Sequence, residues 1–236
     1  MNDIFISYAH IDNEALTEED KGWISHFHKV LDTRVAQLTG EKPRIWRDLK
    51  LGGNDVFDQA IVHQFSNARI MISIMSPRYL KSEWCMKELR QFYDNASSTS
   101  GVSIDNKSRI LKVVKTPFET NDVPSEIRNV FANILGFEFF DVDPDTGKFN
   151  EYNATFGVEA KHNYFSKIFD LAHEVSQLLK SIHDQESGNG ALDSVFVDSK
   201  KIFLAIATKD LQSERDRIYR NLIERGYQVF PDQPMP

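Results

Sequence analysis

Apolar and polar positions follow two periods along this chain, and the switches between them lay out its elements. Apolar and β-rich runs predict strands at Asp3-Ile-Phe-Ile-Ser-Tyr8, Arg109-Ile-Leu-Lys-Val-Val-Lys115 and Gly136-Phe-Glu-Phe-Phe140, and a buried strand at Arg69-Ile-Met-Ile-Ser-Ile-Met75. Arg44-Ile-Trp-Arg-Asp48 predicts a shorter one. Between the strands, apolar residues recur at helical spacing. Residues 18–38 carry Trp23, Phe27, Val30, Leu31, Val35 and Leu38, and Gly40 and Pro43 end that helix. Residues 55–67 carry Val56, Ala60, Ile61 and Phe65, and 164–183 carry Phe165, Ile168, Ala172, Val175, Leu178 and Ile182. Residues 124–131 form a short helix with a proline in its first turn. The polar stretch 95–108 reads as a surface loop, and 141–161 as an exposed excursion that turns at Asp143-Pro-Asp-Thr-Gly147.

This alternation predicts an α/β fold over residues 1–183: a flavodoxin-like, five-stranded parallel sheet flanked by helices and joined by right-handed crossovers. Residues 184–199, with Gln185-Glu-Ser-Gly-Asn-Gly190, have linker composition. Residues 200–236 read as a partial β-α-β unit that echoes the start of the chain. Ile202-Phe203-Leu204 stands beside Ile4-Phe5-Ile6, and Val229-Phe230-Pro231-Asp232 beside Ile45-Trp46-Arg47-Asp48. Two strands and one helix cannot cover both faces of their sheet. The unit is therefore expected to be the cut start of a further domain, or to dock on the first domain or on a second copy.

Composition narrows the function. A net charge of −7 gives no general attraction to nucleic acid or anionic membrane. Cys85 is the one cysteine, which excludes an intrachain disulfide and fits a reducing cytoplasm. The N-terminus has no secretory signal pattern, and no apolar run approaches the roughly 20 residues of a membrane helix. The histidines are scattered without zinc-site spacing, so no metal is expected. Gly52-Gly53 lacks both phosphate-binding glycine patterns.

The chemistry concentrates in Ser76-Pro-Arg-Tyr-Leu-Lys-Ser-Glu-Trp-Cys-Met-Lys-Glu-Leu-Arg-Gln-Phe92. Ser76 and Pro77 close the third strand, and Ser82 suits the N-cap of the next helix. Trp84 and Glu88 are four apart on that helix and share a face, while Cys85, Leu89 and Phe92 face the sheet. An aromatic plane and a carboxylate thus lie just beyond the carboxyl end of a central strand, where open α/β sheets bind ligands. Taken alone, the pair is better read as a core tryptophan and a solvated glutamate paired with Lys81 or Lys87.

Three blocks resemble the Toll/interleukin-1 receptor (TIR) domain family in its bacterial form. Residues 3–8 resemble its first-strand box, Trp46-Arg-Asp-Leu-Lys-Leu-Gly-Gly53 its second strand and following loop, and residues 76–89 its third box. The resemblance covers residues 1–183. It implies one of two jobs. One is an NAD glycohydrolase releasing nicotinamide and ADP-ribose or a cyclic ADP-ribose, of the kind that serves in antiphage defence; the other is a non-catalytic scaffold that signals by self-association. NAD is then substrate, with no separate cofactor. In the hydrolases the third-box glutamate is catalytic, here Glu88, with Trp84 beside it. Tyr8 and Ala9 match positions lining the nucleotide pocket, Asp48 ends the second strand near the same cleft, and Phe57 matches an aromatic against nicotinamide. Asp48 suits a turn cap as well, Phe57 a core position, and Tyr8 simple packing. The loop Leu49 to Asp55 corresponds to the family's self-association loop.

Overall fold

The structure is a computed structural model, and it describes residues 2–18, 21–47, 68–99, 101–105, 107–131, 134, 136–143, 145–187, 201–205, 207–208, 211, 215, 218–219, 222 and 227–230. Residues 1–184 and 185–236 form two compact units.

In the first unit the apolar runs become strands β1 (Ile4–Tyr8), β2 (Ile45–Arg47), β3 (Ile70–Met75), β4 (Ile110–Val114) and β5 (Gly136–Glu138). They form one parallel sheet in the order β2-β1-β3-β4-β5, the flavodoxin-like arrangement. The helices are α1 (Trp23–Thr39), α2 (Pro77–Leu80), α3 (Glu83–Ser98), α4 (Ser125–Phe131) and α5 (Gly157–Glu186). The predicted helix over 55–67 lies outside the described residues.

Strand alternation divides the core between the two faces of the sheet. Ile4, Ile6, Tyr8, Ile70, Ile72, Ile74, Leu111 and Val113 pack with α1 and α5. Phe5, Ala9, Met71, Met75 and Ile110 pack with α2, α3 and α4. On the first face Phe139 stands in an aromatic cluster, with its ring centroid 5.2 Å from Trp23 and 5.8 Å from both Phe27 and Tyr164. Buried strands need no polar stripe, which is why their sequences read as continuous apolar runs.

Four elements differ from the sequence expectation. Helix α1 starts at Trp23, not near residue 18, because Gly22 takes φ +78°, a conformation that interrupts a right-handed helix. A Cβ there would lie 2.0 Å from the Asn13 carbonyl oxygen. The Asn13 side chain, which accepts from the Ser25 backbone N at 2.8 Å, caps the helix start instead. The stretch 95–108 is not one loop: α3 continues to Ser98, and Ser103–Ile104 pairs antiparallel with Lys107–Ser108 about a turn at Asp105, φ +50°. Phe140 leaves the central sheet and enters an antiparallel hairpin with Phe149–Glu151. Its turn is held by Asp143, whose Oδ1 accepts from the backbone N of Asp145 and Thr146 at 2.9 Å each. Helix α5 begins at Gly157 rather than Tyr164, because its first two turns are largely exposed and show no apolar stripe.

In the second unit Lys201–Phe203 and Gln228–Phe230 form a parallel pair. Its register places Ile202 beside Val229 and Phe203 beside Phe230. That repeats the pairing of Ile4 with Ile45 and Phe5 with Trp46 in β1 and β2.

Candidate active site

The site is built where β1, α2 and α3 meet. Ser76 ends β3 and caps α2, accepting from the Tyr79 backbone N at 3.1 Å. Its hydroxyl donates to Asp12 Oδ2 at 2.6 Å, tying the loop after β1 to the end of β3. Burial holds the Asp12 carboxyl above its ordinary value, opposed by the Ser76 hydroxyl and the Lys115 charge. Ser82 then caps α3, accepting from the Cys85 backbone N at 3.3 Å, as expected from sequence. Ser82→Ala is expected to cost about 1 kcal/mol, the usual value of an N-cap, measured by urea unfolding.

Helix α3 carries Trp84 and Glu88 one turn apart, and they touch. The Trp84 indole Nε1 donates to Glu88 Oε1 at 2.6 Å. The other carboxylate oxygen, Oε2, accepts from the Ser7 hydroxyl on β1 at 2.5 Å. Ser7 Oγ in turn lies 3.2 Å from the Tyr79 hydroxyl on α2. Glu88 is 3% exposed, so two directed donors replace much of the water a free carboxylate would hold. The Trp84 indole can only donate, and the Ser7 hydroxyl donates to Glu88 when the glutamate is ionised.

The surroundings are apolar and shift the neighbouring groups. Burial, with the Glu88 charge adding to it, pushes the Cys85 thiol up to about 12. Burial also raises the fully buried Tyr79 phenol well above its ordinary value, so it keeps its proton. Cys85 is therefore a packing residue with almost no thiolate at neutral pH. The expected result is no reaction of the folded protein with a disulfide thiol reagent at pH 8, and release of one thiol equivalent per chain on denaturation.

Of the residues singled out from sequence, the structure brings Trp84 and Glu88 into direct contact, with Ala9 in the core cluster on their side of the sheet. Tyr8 points to the opposite face, among the residues packed with α1 and α5, and stacks on His10 at 5.5 Å. Asp48, Phe57 and the loop 49–55 lie outside the described residues. Lys81 and Lys87 line a cavity of about 470 Å³ on a neighbouring flank of α3. Ser7 and Tyr79 were not among the sequence candidates. Their signal is present, however: β1 and β3 are apolar except for Ser7 and Ser73 and the terminal Tyr8, and the strand register sets the two serines side by side.

Residues 4–140 match a family model described as TIR domain. No curated protein matches the chain. Among solved structures, the chain is similar to the TIR domains in the activated Roq1 resistosome directly recognizing the pathogen effector XopQ. That alignment has 11% identity and a TM-score of 0.35, and covers 79% of this chain and 99% of the other.

Proposed function

This chain belongs to the TIR domain family, and we propose on that premise that it cleaves NAD to nicotinamide and ADP-ribose, or to its cyclised form, with Glu88 as the catalytic residue. The observation that supports this reading is the Glu88 carboxylate, nearly buried and oriented by two short hydrogen bonds against the carboxyl-terminal half of β1.

The chemistry suits one carboxylate. Cleavage breaks the bond between the ribose C1′ and the nicotinamide nitrogen, and the electron pair leaves with nicotinamide. The pyridinium departs neutral and needs no proton. Positive charge develops on the ribose, in an oxocarbenium-like state related to that of glycoside hydrolysis. A fixed carboxylate beside it stabilises that charge, and because it is already oriented it need not reorganise during the step. Water, or a nitrogen of the adenine for the cyclic product, then attacks C1′ and releases a proton to solvent. Trp84, Ala9, Asp48 and Phe57 are assigned to the pocket around the nucleotide on the strength of the sequence resemblance, whereas Tyr8 packs on the opposite face of the sheet.

The wider assignment follows the same resemblance: a bacterial, cytoplasmic antiphage effector switched on by self-association through the loop 49–55. Among the described residues no helix is long and apolar enough to cross a membrane. The test is to resolve the products of NAD incubated with rising concentrations of the chain. ADP-ribose identifies a hydrolase and a cyclic product a cyclase. A rate per mole of protein that rises with concentration identifies activation by assembly, and a constant rate contradicts it.

One observation favours a second reading, a non-catalytic module that signals by homotypic assembly. Both Glu88 oxygens are already bonded within the chain, and the residue is nearly buried, as a purely structural glutamate would be. Concentration-dependent assembly by sedimentation, with no loss of NAD at any concentration, is the result that reading predicts.

A further inference from the structure

With Glu88 ionised, the direction of the hydrogen bonds around it follows. A carboxylate has no proton to give, so the Ser7 hydroxyl commits its one proton to Oε2 at 2.5 Å. Ser7 Oγ then acts as acceptor toward the Tyr79 hydroxyl at 3.2 Å. The chain of donors runs Tyr79 to Ser7 to Glu88. Ser7 is 1% exposed and Tyr79 fully buried, so neither hydroxyl has ready access to water as an alternative partner. Tyr79 is itself anchored, because its backbone N donates to the Ser76 cap and Ser76 donates to Asp12.

The two donors on Glu88 do different jobs. Trp84 sits on the same helix as Glu88, so its indole orders the carboxylate only relative to α3. Ser7 lies on β1, 81 residues away in sequence, a strand paired on both sides in the parallel sheet. Its bond therefore fixes the carboxylate relative to the strand whose carboxyl end carries Ala9 and the loop of Asp12. A glutamate has three rotatable side-chain bonds, and a misplacement of about 1 Å can cost on the order of 100-fold in rate.

Resting on the reading of Glu88 as the group beside the ribose, we infer that Ser7 is a positioning residue for NAD cleavage, holding Glu88 Oε2 in register with the sheet while Tyr79 fixes the direction of the Ser7 hydroxyl. Neither touches the substrate. The inference adds a requirement that the Trp84–Glu88 pair alone does not contain: a hydroxyl in the first strand, supported by a phenol from α2.

The test compares steady-state nicotinamide release by the wild-type chain, Ser7→Ala, Ser7→Thr, Tyr79→Phe and Glu88→Gln, with each variant's fold checked by circular dichroism and thermal melting. Ser7→Ala is expected to lower kcat about 10- to 100-fold with KM within about twofold, because a mis-set carboxylate weakens the transition state more than the bound substrate. Ser7→Thr, which keeps the hydroxyl, is expected to recover most of that loss. Tyr79→Phe is expected to lower kcat about 3- to 10-fold in the same pattern, since it removes the support rather than the bond. It also serves as the deciding variant if threonine's extra methyl does not fit the buried site.

A Ser7→Ala kcat within twofold of wild type, beside an inactive Glu88→Gln, overturns the inference and leaves the assignment of Glu88 standing. So does an effect confined to KM, or a Tyr79→Phe variant equal to wild type where Ser7→Thr fails to fold. A wild-type chain that releases no nicotinamide overturns both.

Discussion

Glu88→Gln is expected to lower nicotinamide release from NAD by at least about 100-fold, with the fold retained. The magnitude is that of removing one oriented charge from a developing transition-state charge in a water-poor site, on the order of 100- to 1000-fold. Glutamine keeps the shape of the side chain and removes its charge. It is not neutral for stability, because its amide has one oxygen and two donors meet the carboxylate, Ser7 and Trp84. The Trp84 indole keeps the amide oxygen, while the Ser7 hydroxyl must turn to accept from the amide NH2 and direct its own proton toward Tyr79, at a cost of up to about 1–3 kcal/mol for any buried group that this leaves unsatisfied. The variant is therefore expected to melt lower than wild type yet remain folded, so melting and turnover are measured on the same preparation. A folded Glu88→Gln with kcat within about tenfold of wild type contradicts the role given to Glu88.

The largest expected stability effect lies on the other face of the sheet. Phe139 is fully buried between Trp23, Phe27 and Tyr164, which joins β5 and its following hairpin to α1 and α5. Its backbone also bridges, with its N donating to the Val114 carbonyl and its own carbonyl accepting from Tyr152 N at 2.7 Å. Phe139→Ala removes the ring and leaves the walls of a cavity that such a packed cluster cannot fully close. The expected cost is about 3–5 kcal/mol, read as a lowered urea midpoint of the transition of the first unit. A loss under about 1 kcal/mol would mean that the aromatic cluster is not the core of this face.

What was legible in the sequence follows from which interactions are local. Continuous apolar runs announced the strands, because a parallel sheet covered on both faces leaves no polar alternation to confuse with a helix. The Trp84 and Glu88 pair was legible from its spacing of four, since helix geometry alone puts those positions together. The partner of Glu88 was not, because Ser7 reaches it only through the packing of β1 against α3, and no local spacing encodes a contact across 81 positions. The clue was a polar residue interrupting each of two buried strands, Ser7 and Ser73, which the register then pairs. Alternation along β1 also separates Tyr8 from Ala9, sending them to opposite faces. The start of α1 was misjudged because its apolar spacing extends no further than Trp23, and Gly22 is the residue that breaks the helix there. The echo in the second unit was legible as three or four matching residues per strand, and the identical strand register gives that echo a structural counterpart.

Whether Glu88 cleaves NAD is decided by nicotinamide release from NAD by the purified chain at high concentration, followed by chromatography. Nicotinamide and a ribosyl product are expected in equal amounts, both lost in Glu88→Gln. Intact NAD at every concentration, including with the chain fused to an oligomerising partner, would contradict NAD cleavage and leave assembly without chemistry as the function of this site.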